Sequence, residues 1–174
     1  SLVSTHNTAT DAHADIREEI TKLSDNKANL NEVATYITPE MYGAKGDNVN
    51  DDSAAIQAAI DAAGREAVIY LGKKVYLTSS TLVLTKNRVK FVCDGVISYT
   101  GTGAAIKMES VGYADVDIYA IQAPNGTALL MDSTDGELGQ NIISIKYILA
   151  SVIGVHIKGD GANGAGGHNI FYNK

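Results

Sequence analysis

Asp115 and Asp117 stand two residues apart in "YADVDIYAI", and Asp132 and Asp135 follow the next apolar run in "ALLMDSTDG". If the first pair lies in a strand, both side chains leave the same face. Hydrolysis of a glycosidic bond needs two carboxylates on opposing sides of a sugar. Elimination from an acidic sugar needs calcium or arginine to neutralise it and a base to take a proton. Neither set is complete here. Asp115, Asp117, Asp132 and Asp135 are therefore the candidate catalytic residues, each read first as a solvated turn or strand-edge carboxylate. Nine tyrosines and no tryptophan provide the stacking surface, with Tyr99, Tyr113, Tyr119 and Tyr147 as candidate carbohydrate contacts; core packing accounts for most of the tyrosines.

Other patterns offer less. "GDGANG", residues 159–164, matches a dinucleotide fingerprint by letter, but a helix must follow to meet the pyrophosphate, and "AGGHNI" gives more glycine and then a strand. His156 and His168 have no visible Ser, Cys or carboxylate partner and are read as structural. Cys93 is the only cysteine, so no intrachain disulfide and no second zinc thiol exist, and it is read as core. No metal ligand and no cofactor are assigned. The formal net charge of −6 gives no general pull toward nucleic acid or an anionic membrane. No run of 18 apolar residues spans a bilayer. The chain begins at Ser1 without a visible signal peptide and ends in "GHNIFYNK", which reads as mid-strand, so a longer parent chain is expected.

Two unlike halves must position these residues. Residues 1–38 hold no glycine and read as helix, with Ala9, Ile16, Ile20, Leu23, Leu30, Ala34 and Ile37 on one seam if His6, His13 and Lys27 are admitted. About 36 helical residues make a rod of about 54 Å, and so narrow a stripe needs a partner helix. His6 and His13 are then polar seam positions that set register. Ile20 and Leu23 taken alone lean toward a dimer, so the seam does not fix the number of strands.

From Pro39 to residue 174, glycine becomes frequent and short Val, Ile, Leu and Tyr runs take over. Strands are expected at 68–71, 75–77, 81–84, 89–92, 105–108, 116–121, 128–131, 142–148, 155–158 and 170–172. Phe91, Ile118, Ile145 and Phe171 recur at near-equal steps along the chain, and Ile106, Leu130 and His156 recur at slightly shorter ones. Two positions recurring in step indicate a parallel β-helix of about three to four coils. Only "PNG" at Pro124 to Gly126 resembles a hairpin turn.

"MYGAKGDNVNDDSAAIQAAIDAAG", residues 41–64, lacks the lysine of a phosphate loop and the ligand spacing of a calcium loop. It reads as a helix over about 52–63, capped by Asp51 or Asp52, with Ala55, Ile56, Ala59, Ile60 and Ala63 on one face and Gly64 as the left-handed residue ending it. This stretch, followed by "AVIYLGKKVYLTSSTLVLTKNRVKFVCDG", closely resembles the opening segment of pectin-lyase-like right-handed β-helix proteins. That family's pattern has a helix plugging the first open end of the solenoid, and this chain departs from it at Asn48, where glycine is usual, and at Gly72. "RVK" at Arg88 to Lys90 resembles a basic pair of pectin-degrading relatives but precedes the first full coil. "HNTATDAHADIRE", residues 6–18, resembles segments of tailed-bacteriophage fibre and baseplate proteins.

Together the resemblances imply a mainly β protein, a coiled-coil stem feeding a capped parallel β-helix, in a homotrimeric phage tail spike, fibre or baseplate appendage. The implied role is virion attachment and recognition of host cell-surface polysaccharide, with other tail or baseplate proteins as partners. The alternative is the start of a polysaccharide depolymerase, a lyase or glycoside hydrolase.

Overall fold

The computed structural model describes residues 18, 22, 36–134, 138–159 and 170–172. The chain divides into two units, Ser1–Ala34 and Thr35–Lys174. In the first, Glu18 and Lys22 are helical and ion-paired at 2.7 Å, four residues apart. The rest of the expected stem, with His6 and His13, lies outside the described residues. Tyr36 and Ile37, inside the expected stem boundary, instead form strand β1 (Tyr36–Ile37), because they pair with Val68 and Ile69.

Beyond β1, a 3-10 helix covers Pro39–Tyr42, then β2 spans Asp47–Asp51 and helix α1 spans Ser53–Ala62. Strands β3 (Val68–Leu71), β4 (Val75–Thr78) and β5 (Leu82–Leu84) make one coil. The next is β6 (Lys90–Tyr99) with β7 (Ala104–Glu109). The long strands β8 (Asp115–Asp132) and β9 (Ile142–Lys158) each run round a whole coil, and β10 (Ile170–Tyr172) begins another. All the pairings are parallel, so the expected β-solenoid is present with four coils.

Each coil has three strips. The first stacks β1, β3 and the starts of β6, β8 and β9. The second stacks β2, β4, the end of β6 and the middles of β8 and β9. The third stacks β5, β7 and the ends of β8 and β9. Alternation puts every second side chain inside. Ile69, Phe91, Val116 and Ile143 form one buried column, and Leu82, Ile106 and Leu129 another. Full burial of each large apolar side chain contributes about 1.5–3 kcal/mol.

Coil length is not constant. Ile69, Phe91, Val116, Ile143 and Phe171 are register partners, and each lies further along the chain from its predecessor than the one before. The two expected series are therefore mixed: Ile118 stacks with Ile145 and Leu130 with His156, but Phe91 lies against Val116 and Ile106 against Leu129. "PNG" is not a hairpin; it is a corner inside β8. Gly126 is needed there, since a Cβ would lie 2.3 Å from the Gly103 carbonyl oxygen of the coil below.

Helix α1 buries Ile56, Ala59 and Ile60 in the solenoid core. Gln57 donates to the Val83 carbonyl at 3.1 Å and accepts from the Val83 N–H at 2.8 Å, satisfying a β5 edge that has no earlier strand. Asp52 occupies the N-cap position, but its carboxylate turns back to the Lys45 and Gly46 N–H groups at 2.7 and 2.9 Å; Asp51 accepts from the Ser53 N–H instead. Gly64 does not supply the left-handed residue: α1 ends at Ala63 in extended backbone, and Glu66 carries φ 66°. Asn48 takes φ 58°, a conformation that Asn tolerates where the family pattern has glycine.

Candidate functional site

The corner between the first and second strips gathers outward side chains from successive coils. Cys93, Ile118 and Ile145 are register partners, so Asp94, Tyr119 and Lys146 follow them one above another. Tyr147 pairs with Ala120 and lies beside them. Gly95 permits the close stacking: a Cβ there would fall 2.0 Å from the Lys74 carbonyl oxygen. Tyr119 and Tyr147 meet edge to face with centroids 5.3 Å apart, and both stay exposed, at 45% and 43%. Lys146 Nζ lies 5.3 and 5.2 Å from the two ring centroids, within cation–aromatic range.

Beside Tyr119, a cavity of about 640 Å³ is lined by Lys73, Lys74, Val75, Asp94 and Val96. The Tyr70 hydroxyl donates to Asp94 at 2.8 Å, fixing one wall. Lys74 and the Tyr76 hydroxyl both donate to Glu40 at 2.8 Å. Partial burial pushes the Glu40 carboxyl up, but hydrogen bonds led by Lys74 outweigh it and hold the group below its ordinary range. The corner thus offers aromatic rings, two lysines from one coil and a third from a later one. Such a surface can stack on a sugar ring and hydrogen-bond its hydroxyls.

Of the sequence candidates, Tyr119 and Tyr147 come together here. Tyr113 sits at a different corner, with the Arg88 guanidinium 5.0 Å over its ring. Tyr99 is only 3% exposed, and its hydroxyl accepts the Gly103 N–H at 3.2 Å, so it is a core residue that offers no ring face to a sugar.

The carboxylates do not assemble. Asp115 and Asp117 leave the same face of β8, as their spacing indicated, but Asp115 is ion-paired with Lys90 at 3.0 Å. The hydrogen bond to Asp115 also raises the Lys90 pKa. "RVK" is split accordingly: Lys90 serves this pair and Arg88 covers Tyr113. Asp132 closes β8 on the third strip, where Thr134 side-chain and backbone hydrogen bonds, with Lys107 and Lys158 nearby, hold its carboxyl at about 2. A carboxylate so acidic is poorly matched to proton transfer near neutral pH. Asp135 lies outside the described residues, as does His168, whereas His156 is exposed on β9. Burial pushes the Cys93 thiol up to about 12, so it is an inert core group. Among the described residues no three His, Cys, Asp or Glu side chains converge as a metal site, and no helix is long and apolar enough to cross a membrane.

Sequence reasoning missed Lys73, Lys74 and Lys146 as neighbours of Tyr119. The signal was present for Lys146, since Tyr119 and Lys146 directly follow Ile118 and Ile145 of the recurring series.

A stretch of 60 residues is 45% identical to depolymerase 1, capsule K30/K69-specific, of Klebsiella phage K5-2, covering 34% of this chain and 7% of that protein. Another of 80 residues is 36% identical to depolymerase 1, capsule KN3-specific, of Klebsiella phage KN3-1, covering 44% of this chain and 10% of that one. The matched segments therefore span a tenth or less of these relatives' length. Among solved structures, ORF18 of Geobacillus virus E2 shares the fold with a TM-score of 0.53 at 16% identity, over 80% of this chain and 31% of that one. Residues 40–134, more than half of the chain, match the family model described as rhamnogalacturonase A/epimerase, pectate lyase-like, and the chain belongs to that family.

Proposed function

We propose that this chain is the attachment and assembly part of a bacteriophage tail appendage that recognises host cell-surface carbohydrate. The observation that carries the reading is the match of its pectate lyase-like coils to capsule-specific depolymerases of Klebsiella phages. In this reading, residues 1–38 form a coiled-coil stem that makes the chain a homotrimer and joins it to other tail or baseplate proteins. Helix α1 caps the first coil, for which its bonds to Val83 and its apolar face are suited. The Tyr119, Tyr147 and Lys146 corner touches glycan. Asp115, Asp117, Asp132 and Asp135 serve structure and solubility. The ion pair of Asp115 and the depressed pKa of Asp132 support that assignment.

Light scattering on a sizing column tests assembly: three times the chain mass of 18.3 kDa is expected, and a monomer overturns the trimeric stem. Glycan-array binding tests recognition: Tyr119→Ala with Tyr147→Ala is expected to weaken binding by tenfold or more without release of new sugar ends. Unchanged binding removes the corner from the reading, and sugar ends released by the unaltered chain make it catalytic.

A further inference from the structure

A second corner carries features that the glycan-contacting tyrosine pair does not use. Glu66, Arg88, Tyr113 and Gln140 have φ of 66°, 60°, 60° and 55°, in the left-handed region. Each stands two residues before a first-strip strand, respectively β3, β6, β8 and β9, so the four stack as one column where the third strip turns into the first. The column is tied by the Glu66 N–H to the Arg88 carbonyl at 3.0 Å, the Arg88 N–H to Gly112 at 3.1 Å and the Tyr113 N–H to Gly139 at 2.9 Å. Left-handed backbone at non-glycine residues costs about 1–3 kcal/mol each and persists where its surroundings over-determine it.

This backbone brings three cations to one place. Arg65, Lys86 and Arg88, with Asn87 and Tyr113, line a cavity of about 470 Å³, within the roughly 300–1,000 Å³ of small-ligand sites. Among the described residues, none of the three cations is in an ion pair. In a chain with net charge −6, three clustered and unneutralised cations form a local reversal of the field. Asn87 has its carbonyl oxygen taken by the Gly112 N–H at 2.7 Å, which leaves its NH₂ as a further donor. Glu66, the carboxylate of the column, is not among the lining residues. Arg88 is braced over the Tyr113 ring, so its planar fork is pre-organised, while Tyr113 itself remains 54% exposed.

We infer that this corner is a binding site for an acidic sugar: Arg65, Lys86 and Arg88 hold the sugar's anionic group, and the exposed part of Tyr113 packs on its ring. The inference rests on the carbohydrate-recognition reading above and adds to it the charge class of the glycan and a second place of contact. A bare anion such as phosphate shares the charge but has no ring for Tyr113.

The test is calorimetric titration of the whole chain with an oligogalacturonate, a neutral oligosaccharide of equal length and inorganic phosphate. The acidic oligosaccharide is expected to bind at least tenfold more tightly than either of the others, and more weakly as salt rises. Arg88→Ala and Lys86→Gln should each reduce its affinity by fivefold or more, and Tyr113→Ala should reduce it without altering the salt dependence. Circular dichroism confirms that each variant remains folded, and Lys86→Gln, on an exposed side chain, is the variant least able to disturb the coil. Equal binding of phosphate overturns the sugar assignment. Equal binding of the neutral oligosaccharide, or no effect of Lys86→Gln, overturns the site. Neutral-glycan binding that depends on Tyr119 while the acidic oligosaccharide fails would sink this site alone, and loss of all glycan binding would sink the broader reading with it.

Discussion

Lys90 Nζ lies 3.0 Å from the Asp115 carboxylate, and the two residues are register partners on neighbouring coils. The pair ties β6 to β8 on their solvent side and occupies the carboxylate that otherwise looks best placed for chemistry. Both side chains are partly exposed, at 49% and 39%, so solvent screens the attraction. A double-mutant cycle of Lys90→Met and Asp115→Asn should give a coupling of roughly 0.2–1 kcal/mol by urea unfolding. A coupling well above that range would mean that the pair is less screened than its exposure implies.

Acid should weaken the fold through two carboxylates. Asp51 is held at about 2: burial opposes ionisation, but hydrogen bonds from Ser53 and Ser79 outweigh it. Asp132 is also held at about 2, chiefly by Thr134. The ordinary value is 3.8, so the unfolded chain binds these protons first as pH falls. Their stabilisation is complete above about pH 4 to 5 and is lost progressively toward pH 2. Melting temperature followed from pH 5 to 2 should fall, and Asp132→Asn should flatten the fall while lowering stability at pH 7. An unchanged slope in that variant would remove Asp132 from the account.

Two glycines should respond in opposite directions to alanine. At Gly95 a Cβ would meet the Lys74 carbonyl oxygen at 2.0 Å and the Lys74 nitrogen at 2.6 Å, both backbone atoms with little room to yield. Gly95→Ala should cost more than about 2 kcal/mol or prevent the coils from stacking. Gly64 has open space around its Cβ position and no left-handed φ. Gly64→Ala should be neutral or stabilising by about 0.4–1 kcal/mol, through a less disordered unfolded chain. Thermal melts of the two variants side by side decide the point.

The strands and the parallel stacking were legible in the sequence because inward positions alternate and recur; Val68 to Leu71 and Ile170 to Tyr172 match their expected bounds to the residue. Exact register was not legible, since a fixed period cannot follow coils that lengthen along the solenoid, and it aligns Phe91 with Ile118 in place of Val116. Asp51 and Asp52 are recognisable as helix-start residues, yet which carboxylate meets which N–H depends on the Lys45 and Gly46 loop folding back. The lysines around Tyr119 were invisible for a similar reason. Lys73 and Tyr119 are far apart in sequence, and only the stacking of corners makes them neighbours.

Thr78 offers a test in which removal of a polar group strengthens the fold. It is fully buried in the second strip, next to Tyr76 in the β4 alternation, and its backbone carbonyl accepts the Thr100 N–H at 2.8 Å. Its Oγ1 has no hydrogen-bond partner among the described residues. A buried hydroxyl without a partner costs about 1–3 kcal/mol, whereas a methyl of nearly the same size costs nothing to desolvate. Thr78→Val should therefore raise stability by about 1 kcal/mol, seen as a higher urea midpoint at unchanged slope. Thr78→Ser keeps the orphan hydroxyl and deletes the buried methyl, so it should lower the midpoint. A Val variant no more stable than the wild type would show that the hydroxyl is satisfied in solution, by an ordered water within the coil.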